Sequence, residues 1–533
     1  MKYIKFIVFV ILTGAFFSSC VKDLDVTPLD KNTIVSSNLS DNPDALEQTL
    51  AKLYASFAIP GQDGVNGASD ISGIDAGFGV YSRALWMLQE LTTDEALCAW
   101  NDQTIKDFHW HTWSPTDVFN NAMYSRIIYS VTICNEFIRN TAGNSDETVQ
   151  QYNAEARFLR ALAYFHAIDM YGNPAFITEE DGIGSFLPKQ TTRTELFDFI
   201  ESELLDIETK LGEPGFMYPR ADKAAAWMLL ARLYLNAGVY TGTPEWTGCI
   251  DYSTKVINSG AYELDSDYQR MFSSDNHTSP EMIFAIAYDG VYTQSYGGTT
   301  YIIHAATGNG GEGNGVYPAD VGTEGGWGGN RSTKQFINVL VDTLAYPMNI
   351  ADPLYNSVPD NRVLISLLTN WDIQNVGTFT DGIQIRKFTN LKSDGSQADN
   401  YHSDHMSTDF PIFRLADAYL MRAEATLRNS GSVGSALSDI NTLREYRFDP
   451  ADYTALTSID LDFILDERGR ELYWEAVRRT DLIRFGKFTT SDYLWAWKGN
   501  TMEGQASGSF RNLFPIPASE IAANPNIKQN DGY

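Results

Sequence analysis

Between about Asn120 and Gly260 the chain repeats one pattern, and that pattern constrains the fold more than anything else in the sequence. Five stretches, "NAMYSRIIYSVTICNEFIRNT", "YNAEARFLRALAYFHAIDMYG", "RTELFDFIESELLDIETKLG", "ADKAAAWMLLARLYLNAG" and "DYSTKVINSG", place apolar residues three and four apart, with Gly, Asn or Pro at their ends. Small alanines sit where two helices would cross closely. The pair "ADKAAAWMLLARLYLNAG" and "CIDYSTKVINSGAYEL" has the arrangement of a tetratricopeptide unit. A second helical block runs from "FRLADAYLMRAEATLRNSG" through "GSALSDINTLREYR" to "DLDFILDERGRELYWEAVRRTDLIRFG". The predicted fold is therefore mostly α: tetratricopeptide-like helix pairs forming a scaffold, whose two blocks meet in space across a long insertion.

That insertion, about residues 263–409, is loop-rich and predicts only short strands such as "EMIFAIAY" and "TYIIHAA". Twelve of the thirty-six residues from Tyr296 to Arg331 are glycine. Long loops on a rigid scaffold are where binding residues concentrate. The start of the chain reads differently. "MKYIK" is a basic n-region, "FIVFVILTGAFF" an apolar run too short to span a bilayer comfortably, and "SSC" puts small residues before Cys20. Residues 1–19 read as a lipoprotein signal peptide, Cys20 as an acylated N-terminus, 20–43 as a tether, and 44–533 as a single domain carrying the insertion.

A formal charge of −29 repels phosphate backbones and anionic lipid surfaces, which argues against nucleic acid and favours neutral partners such as sugars or peptides. Cys98, Cys134 and Cys249 have no metal or redox spacing and read as buried small hydrophobes. Gly308 to Gly313 satisfies G-x-G-x-x-G, but Pro318 and further glycines stand where a helix should begin, so no dinucleotide site is expected. His109 with His111, if on a strand, and His402 with His405, if on a helix, would each share a face without a third ligand; no metal or cofactor is expected. Asp94 and Glu95 in "TTDEA" are the most pointed candidates for glycosidase carboxylates, and a structural turn is the favoured reading.

"DERGRELYWEAVRRTDLIRFGKF", Asp466 to Phe488, holds six basic and five acidic residues. Glu475 with Arg479 and Asp481 with Arg484 are spaced for ion pairs, and Leu472, Tyr473, Ala476, Val477 and Ile483 for an apolar face, predicting one packed, ion-paired helix. The same stretch, followed by "LFPIPASEIAANPNIKQNDGY", resembles the C-terminal signature of the SusD/RagB family. The agreement extends from Cys20 through "LQELTTDEALCAWND" and "RADKAAAWMLLARLYLNAGVYTG" to Tyr533.

The resemblance implies a non-catalytic surface lipoprotein of the outer membrane that captures nutrients for a partner, a SusC-like TonB-dependent porin. Similarity to a starch-binding member at "SYGGTTY", "FTDGIQIRKF" and "YLWAWKG" implies starch or malto-oligosaccharide as ligand. The glycan-binding residues so implied are Asp75, Arg83, Trp100, an amide that is either Asn101 or Gln103, Tyr296 and Trp327. Their chemistry fits, because curved α-glucan faces stack on aromatic rings while hydroxyl rims need charged or amide partners. Capture of another glycan or of peptides, and glycoside hydrolysis, are the alternatives.

Overall fold

The computed structural model describes residues 42–182, 186–308, 317–342, 358–367, 370–430 and 432–533. Residues 1–41, with the leader and Cys20, lie outside it, as does all of the G-x-G-x-x-G stretch but Gly308. The principal helices are α1 (Pro43–Ala55), α2 (Tyr81–Glu90), α3 (Gln103–Trp110), α4 (Val118–Thr141), α5 (Glu147–Tyr171), α6 (Arg193–Ile207), α7 (Lys223–Leu235), α8 (Trp246–Asn258), α9 (Gly298–Ala306), α10 (Lys334–Val341), α11 (Leu415–Ser430), α12 (Val433–Glu445), α13 (Leu461–Leu472) and α14 (Arg478–Arg484). The architecture is mostly helical, as the periodicity predicts.

Local chemistry sets the helix starts. Asp117, Asp146 and Asp222 each accept backbone N–H groups at the N-terminus of α4, α5 and α7, and Thr192 and Glu195 form a reciprocal capping box on α6. Helices α4 and α5, α5 and α6, and α7 and α8 pack as neighbours in sequence. Ala224, Ala225, Ala226 and Ala231 are fully buried on α7. The two helical blocks join where α8 packs on α11; there the Cys249 thiol lies 3.7 Å from the Met421 carbonyl. All three described cysteines are buried, and burial raises their thiol pKa values, so they act as small apolar groups.

Strands are short and paired two by two: Leu97–Cys98 with Asn330–Arg331, Ala175–Phe176 with Lys189–Gln190, Met282–Ile286 with Phe410–Arg414, and Ile365–Leu367 with Ile383–Ile385, all antiparallel. "EMIFAIAY" supplies a strand, but "TYIIHAA" does not. It forms α9, in which all nine residues are buried, and this packing overrides the strand preference of its β-branched run.

The C-terminal stretch is not one helix. Trp474 and Ala476 take φ of 63° and 60°, a left-handed break between α13 and α14. The break turns Glu475 away from Arg479 and onto Arg414 (2.8 Å) and Lys387 (2.7 Å). Asp481 and Arg484 do pair, at 2.7 Å. Around the break lies a buried ion network in which Glu471 accepts from Arg362, Arg414 and Arg447 while Glu281 binds Arg414 and Arg447. The three surrounding guanidinium groups overcome the effect of burial and hold the Glu471 carboxyl well below the usual carboxylate range.

Candidate functional site

Trp100 and Trp327, separated by 227 residues, are brought side by side by the pairing of Cys98 with Asn330. The ladder continues one step, as Ala99 N–H donates to the Gly329 carbonyl at 2.9 Å. Behind it, the N–H groups of Trp327, Gly328 and Gly329 donate to the carbonyls of His304, Thr307 and Ala305 at 2.7–2.9 Å, tying the glycine-rich turn to the end of α9. Trp100 Nε1 then donates to the Trp327 carbonyl at 3.1 Å. A Cβ on Gly329 would stand 2.8 Å from the Trp100 indole, so the absence of a side chain there is what lets the ring lie down.

The rings of Trp100 and Trp327 are 6.3 Å apart at 45°, and those of Trp327 and Tyr296 6.3 Å apart at 53°. All three are half-buried. His304 stacks on Trp327 at 4.7 Å and 11°, and His405 lies 5.0 Å from Tyr296. Arg83, on the fully buried helix α2, donates through Nη1 to the Tyr296 carbonyl at 3.1 Å. Its guanidinium sits 4.4 Å over the Tyr301 ring and 5.9 Å from that of Trp100. Arg83 Nε is buried without a partner. Burial lowers the pKa of this arginine, and Tyr301 and, further down, Asp75 partly offset the shift.

The structure therefore brings Trp100, Tyr296, Trp327 and Arg83 together. The other three candidates are exposed and engaged locally. Asp75 Oδ1 accepts the N–H groups of Gly77 (2.7 Å) and Phe78 (2.9 Å). Asn101 Oδ1 accepts from Lys106 (2.5 Å), and Gln103 Nε2 donates to Asp107 (2.9 Å). Neither amide is singled out over the other.

Sequence reasoning missed His304, Tyr301 and Gly329, because "TYIIHAA" read as a strand hides the face of α9 that supports the rings. His405 was visible only as half of a metal pair. His402 and His405 lie in irregular backbone rather than a helix, with rings 4.8 Å apart. His109 and His111 lie at the end of α3 rather than on a strand, and donate through Nδ1 and Nε2 to the carbonyls of Leu91 and Thr92 (2.9 and 2.8 Å). Burial lowers their pKa values to about 4 and about 3. Among the described residues no group of three or more His, Cys, Asp or Glu side chains is placed to hold a metal.

Asp94 and Glu95 are fully buried. Asp94 receives both Arg478 Nε and Nη2 at 2.9 Å and the Tyr493 hydroxyl at 2.6 Å, and Glu95 receives Trp474 N–H at 2.8 Å. They are sealed from solvent and fasten the left-handed break, so the glycosidase reading loses its candidate acids.

A family model described as "SusD family" matches residues 355–533, and one described as "Starch-binding associating with outer membrane" matches residues 73–235. Starch-binding protein SusD of Bacteroides thetaiotaomicron is 35% identical over 573 aligned positions, covering 100% of this chain and 99% of that protein. SusD-like protein P25 of Formosa agariphila is 24% identical over 76% of this chain and 77% of its own length. Among solved structures, a SusD superfamily protein from Parabacteroides distasonis superposes with a TM-score of 0.70 at 19% identity, over 92% of this chain and 99% of that one. Surface glycan-binding protein A of B. thetaiotaomicron, in complex with laminarihexaose, does so with a TM-score of 0.66 at 20% identity, over 92% and 99%.

The full-length match and the fold define a SusD-like, non-catalytic glycan-binding protein. The chain belongs to the SusD family.

Proposed function

We propose that this protein captures starch or malto-oligosaccharides on the face formed by Trp100, Tyr296 and Trp327, with Arg83, Asp75 and an amide from Asn101 or Gln103 gripping the hydroxyl rims. The observation that carries the reading is the arrangement of three half-exposed rings, successive centroids 6.3 Å apart and tilted by 45° and 53°, around one buried guanidinium. A tilted series of rings follows the curvature of an α-glucan better than it would a flat chain. The buried Nε of Arg83 has a donor to spare for a ligand oxygen.

In this reading residues 1–19 are removed, Cys20 carries the lipid, 20–43 is the tether and 44–533 the single binding domain. The protein sits on the outer leaflet and hands its glycan to a SusC-like TonB-dependent porin. Among the described residues no helix is long and apolar enough to cross a membrane, which leaves the lipid as the means of attachment in this proposal. A different glycan is the second reading, favoured by the laminarihexaose in the name of one structural neighbour.

Affinity electrophoresis of the mature protein through gels containing starch, laminarin or other polysaccharides tests both. Retardation by starch that disappears in Trp100→Ala and Trp327→Ala supports the first reading. Retardation by laminarin alone decides for the second, and retention on peptide arrays with none on any polysaccharide refutes both.

A further inference from the structure

Away from the aromatic face, and sharing no residue with it, a cleft of about 580 Å³ opens between the start of α6 and the C-terminal segment. In a chain of charge −29 its lining is unusual, because its two cations, Arg193 and Lys528, have no ion pair among the described residues. Among the described residues the Arg193 guanidinium donates only to backbone carbonyls, Nε to Ile168 at 3.1 Å and Nη1 to Val239 at 3.2 Å, and lies 4.8 Å over the Tyr240 ring. Lys528 is exposed and its ammonium has no partner among the described residues, while Gln190 clamps its backbone N–H and C=O at 3.0 and 2.9 Å. Behind the lining, Arg479 donates to the Asn512 backbone carbonyl at 2.7 Å and pairs with Asp169 at 3.8 Å. Asp531, itself exposed, is the one acid among the lining residues.

A second observation narrows the ligand. Asn512 Oδ1, on a lining residue, is buried with no hydrogen-bond donor, which is costly unless something supplies one. A bare anion cannot; a hydroxyl can. Phe510 and Leu513 complete the wall with apolar surface suited to the face of a pyranose ring. We propose that this cleft is a second saccharide site, specific for a sugar bearing a carboxylate: the carboxylate meets Lys528 and Arg193, a ring hydroxyl donates to Asn512, and the ring packs on Phe510. The site stands independently of the reading of the aromatic face.

Calorimetric titration of the mature protein at low salt with digalacturonate, maltose and inorganic phosphate tests this. Digalacturonate is expected to bind weakly, with an affinity that falls as sodium chloride is raised. Lys528→Gln should weaken it about tenfold and Asp531→Asn should strengthen it; both residues are exposed, so the fold is kept. Trp100→Ala should leave it unchanged. The proposal is overturned by any of four results: no heat with digalacturonate, equal affinity for phosphate, indifference to Lys528→Gln, or loss of digalacturonate binding in Trp100→Ala, which would move the acidic sugar to the aromatic face.

Discussion

Trp100 Nε1 donates to the backbone carbonyl of Trp327 across 3.1 Å, so one indole holds the main chain that presents the other. The rings are mechanically coupled. Changing the first should disturb the second even where the ligand touches only one of them.

Truncating these rings should separate binding from folding. Trp327→Ala is expected to remove about 1–3 kcal/mol of glycan binding, as hot-spot aromatics do. Because Trp327 is half-exposed, its loss of folding stability should be well below the roughly 3–5 kcal/mol of a core tryptophan. Trp86, with 0% exposure, serves as the core control. Trp100→Phe keeps a ring but loses the Nε1 donor and should fall between wild type and Trp100→Ala. Starch retardation and melting temperature, measured on the same samples, check all four variants.

Gly329→Ala should weaken glycan binding without touching a ligand. The added methyl would meet Trp100 Cε2 at 2.8 Å and Nε1 at 2.9 Å, forcing the indole out of its plane. Gly329 is not among the glycines held at positive φ, so the backbone tolerates alanine and the effect is steric. A several-fold loss of retardation with a near-native melting temperature is the expected result.

Glu90 and Glu95 make the protein less stable on the alkaline side of neutrality. Burial pushes both carboxyl groups up, Glu90 further through the neighbouring Glu95, and Glu95 to about 7 through burial and the nearby Asp94 against the opposing pull of Arg478. With the folded pKa above the unfolded one, the folded state binds more protons, and stability falls as pH rises from the ordinary glutamate range through about 7. The buried His109 and His111, lowered to about 4 and about 3, act in the opposite sense, their effect being complete once pH exceeds the free histidine value near 6.5. Between pH 6.5 and 8 the glutamate pair should therefore dominate this balance. Thermal melts across that interval should slope downward, and Glu95→Gln, which can still accept from Trp474 N–H, should flatten the slope.

Removing Glu471 should be among the most damaging single changes. It leaves Arg362, Arg414 and Arg447, all fully buried, short of the charge that three of their contacts share. Breaking a buried network from one side costs about 3–5 kcal/mol. Urea titration of Glu471→Gln against wild type measures it, and a loss below about 1 kcal/mol would show that the remaining Glu281, Glu467 and Glu475 carry the cluster.

Cys20→Ala is expected to yield a folded protein that no longer sediments with outer membranes. Recovery in the membrane fraction unchanged by the substitution would refute lipid attachment through this residue.

Helix-forming stretches were legible because their signals are local. Alanine-lined contacts and Asp or Thr caps report on residues within a turn or two, and α4 to α8 follow them. The break at Trp474 and Ala476 was not legible, since its cause lies nearly four hundred residues away, in Glu90 and Glu95 accepting the backbone N–H groups of Ala476 and Trp474. The same distance explains the mistaken Glu475–Arg479 pair. In the aromatic face, the identities of Trp100, Tyr296, Trp327 and Arg83 came from resemblance, and the structure supplied their proximity. The supporting His304 carried no sequence signal, because a β-branched run disguised the helix that bears it.

The two-residue ladder of Leu97–Cys98 with Asn330–Arg331 has a consequence for how such a face can change. It clips together two stretches more than two hundred residues apart. Since doubling a loop adds only about 0.6 kcal/mol of closure cost, the loops that connect the helices of this stretch can lengthen or shorten while the two indoles keep their spacing. The ladder works as a socket: the scaffold holds the contacts at fixed pitch, and exchangeable loops around them are free to select which polymer is held.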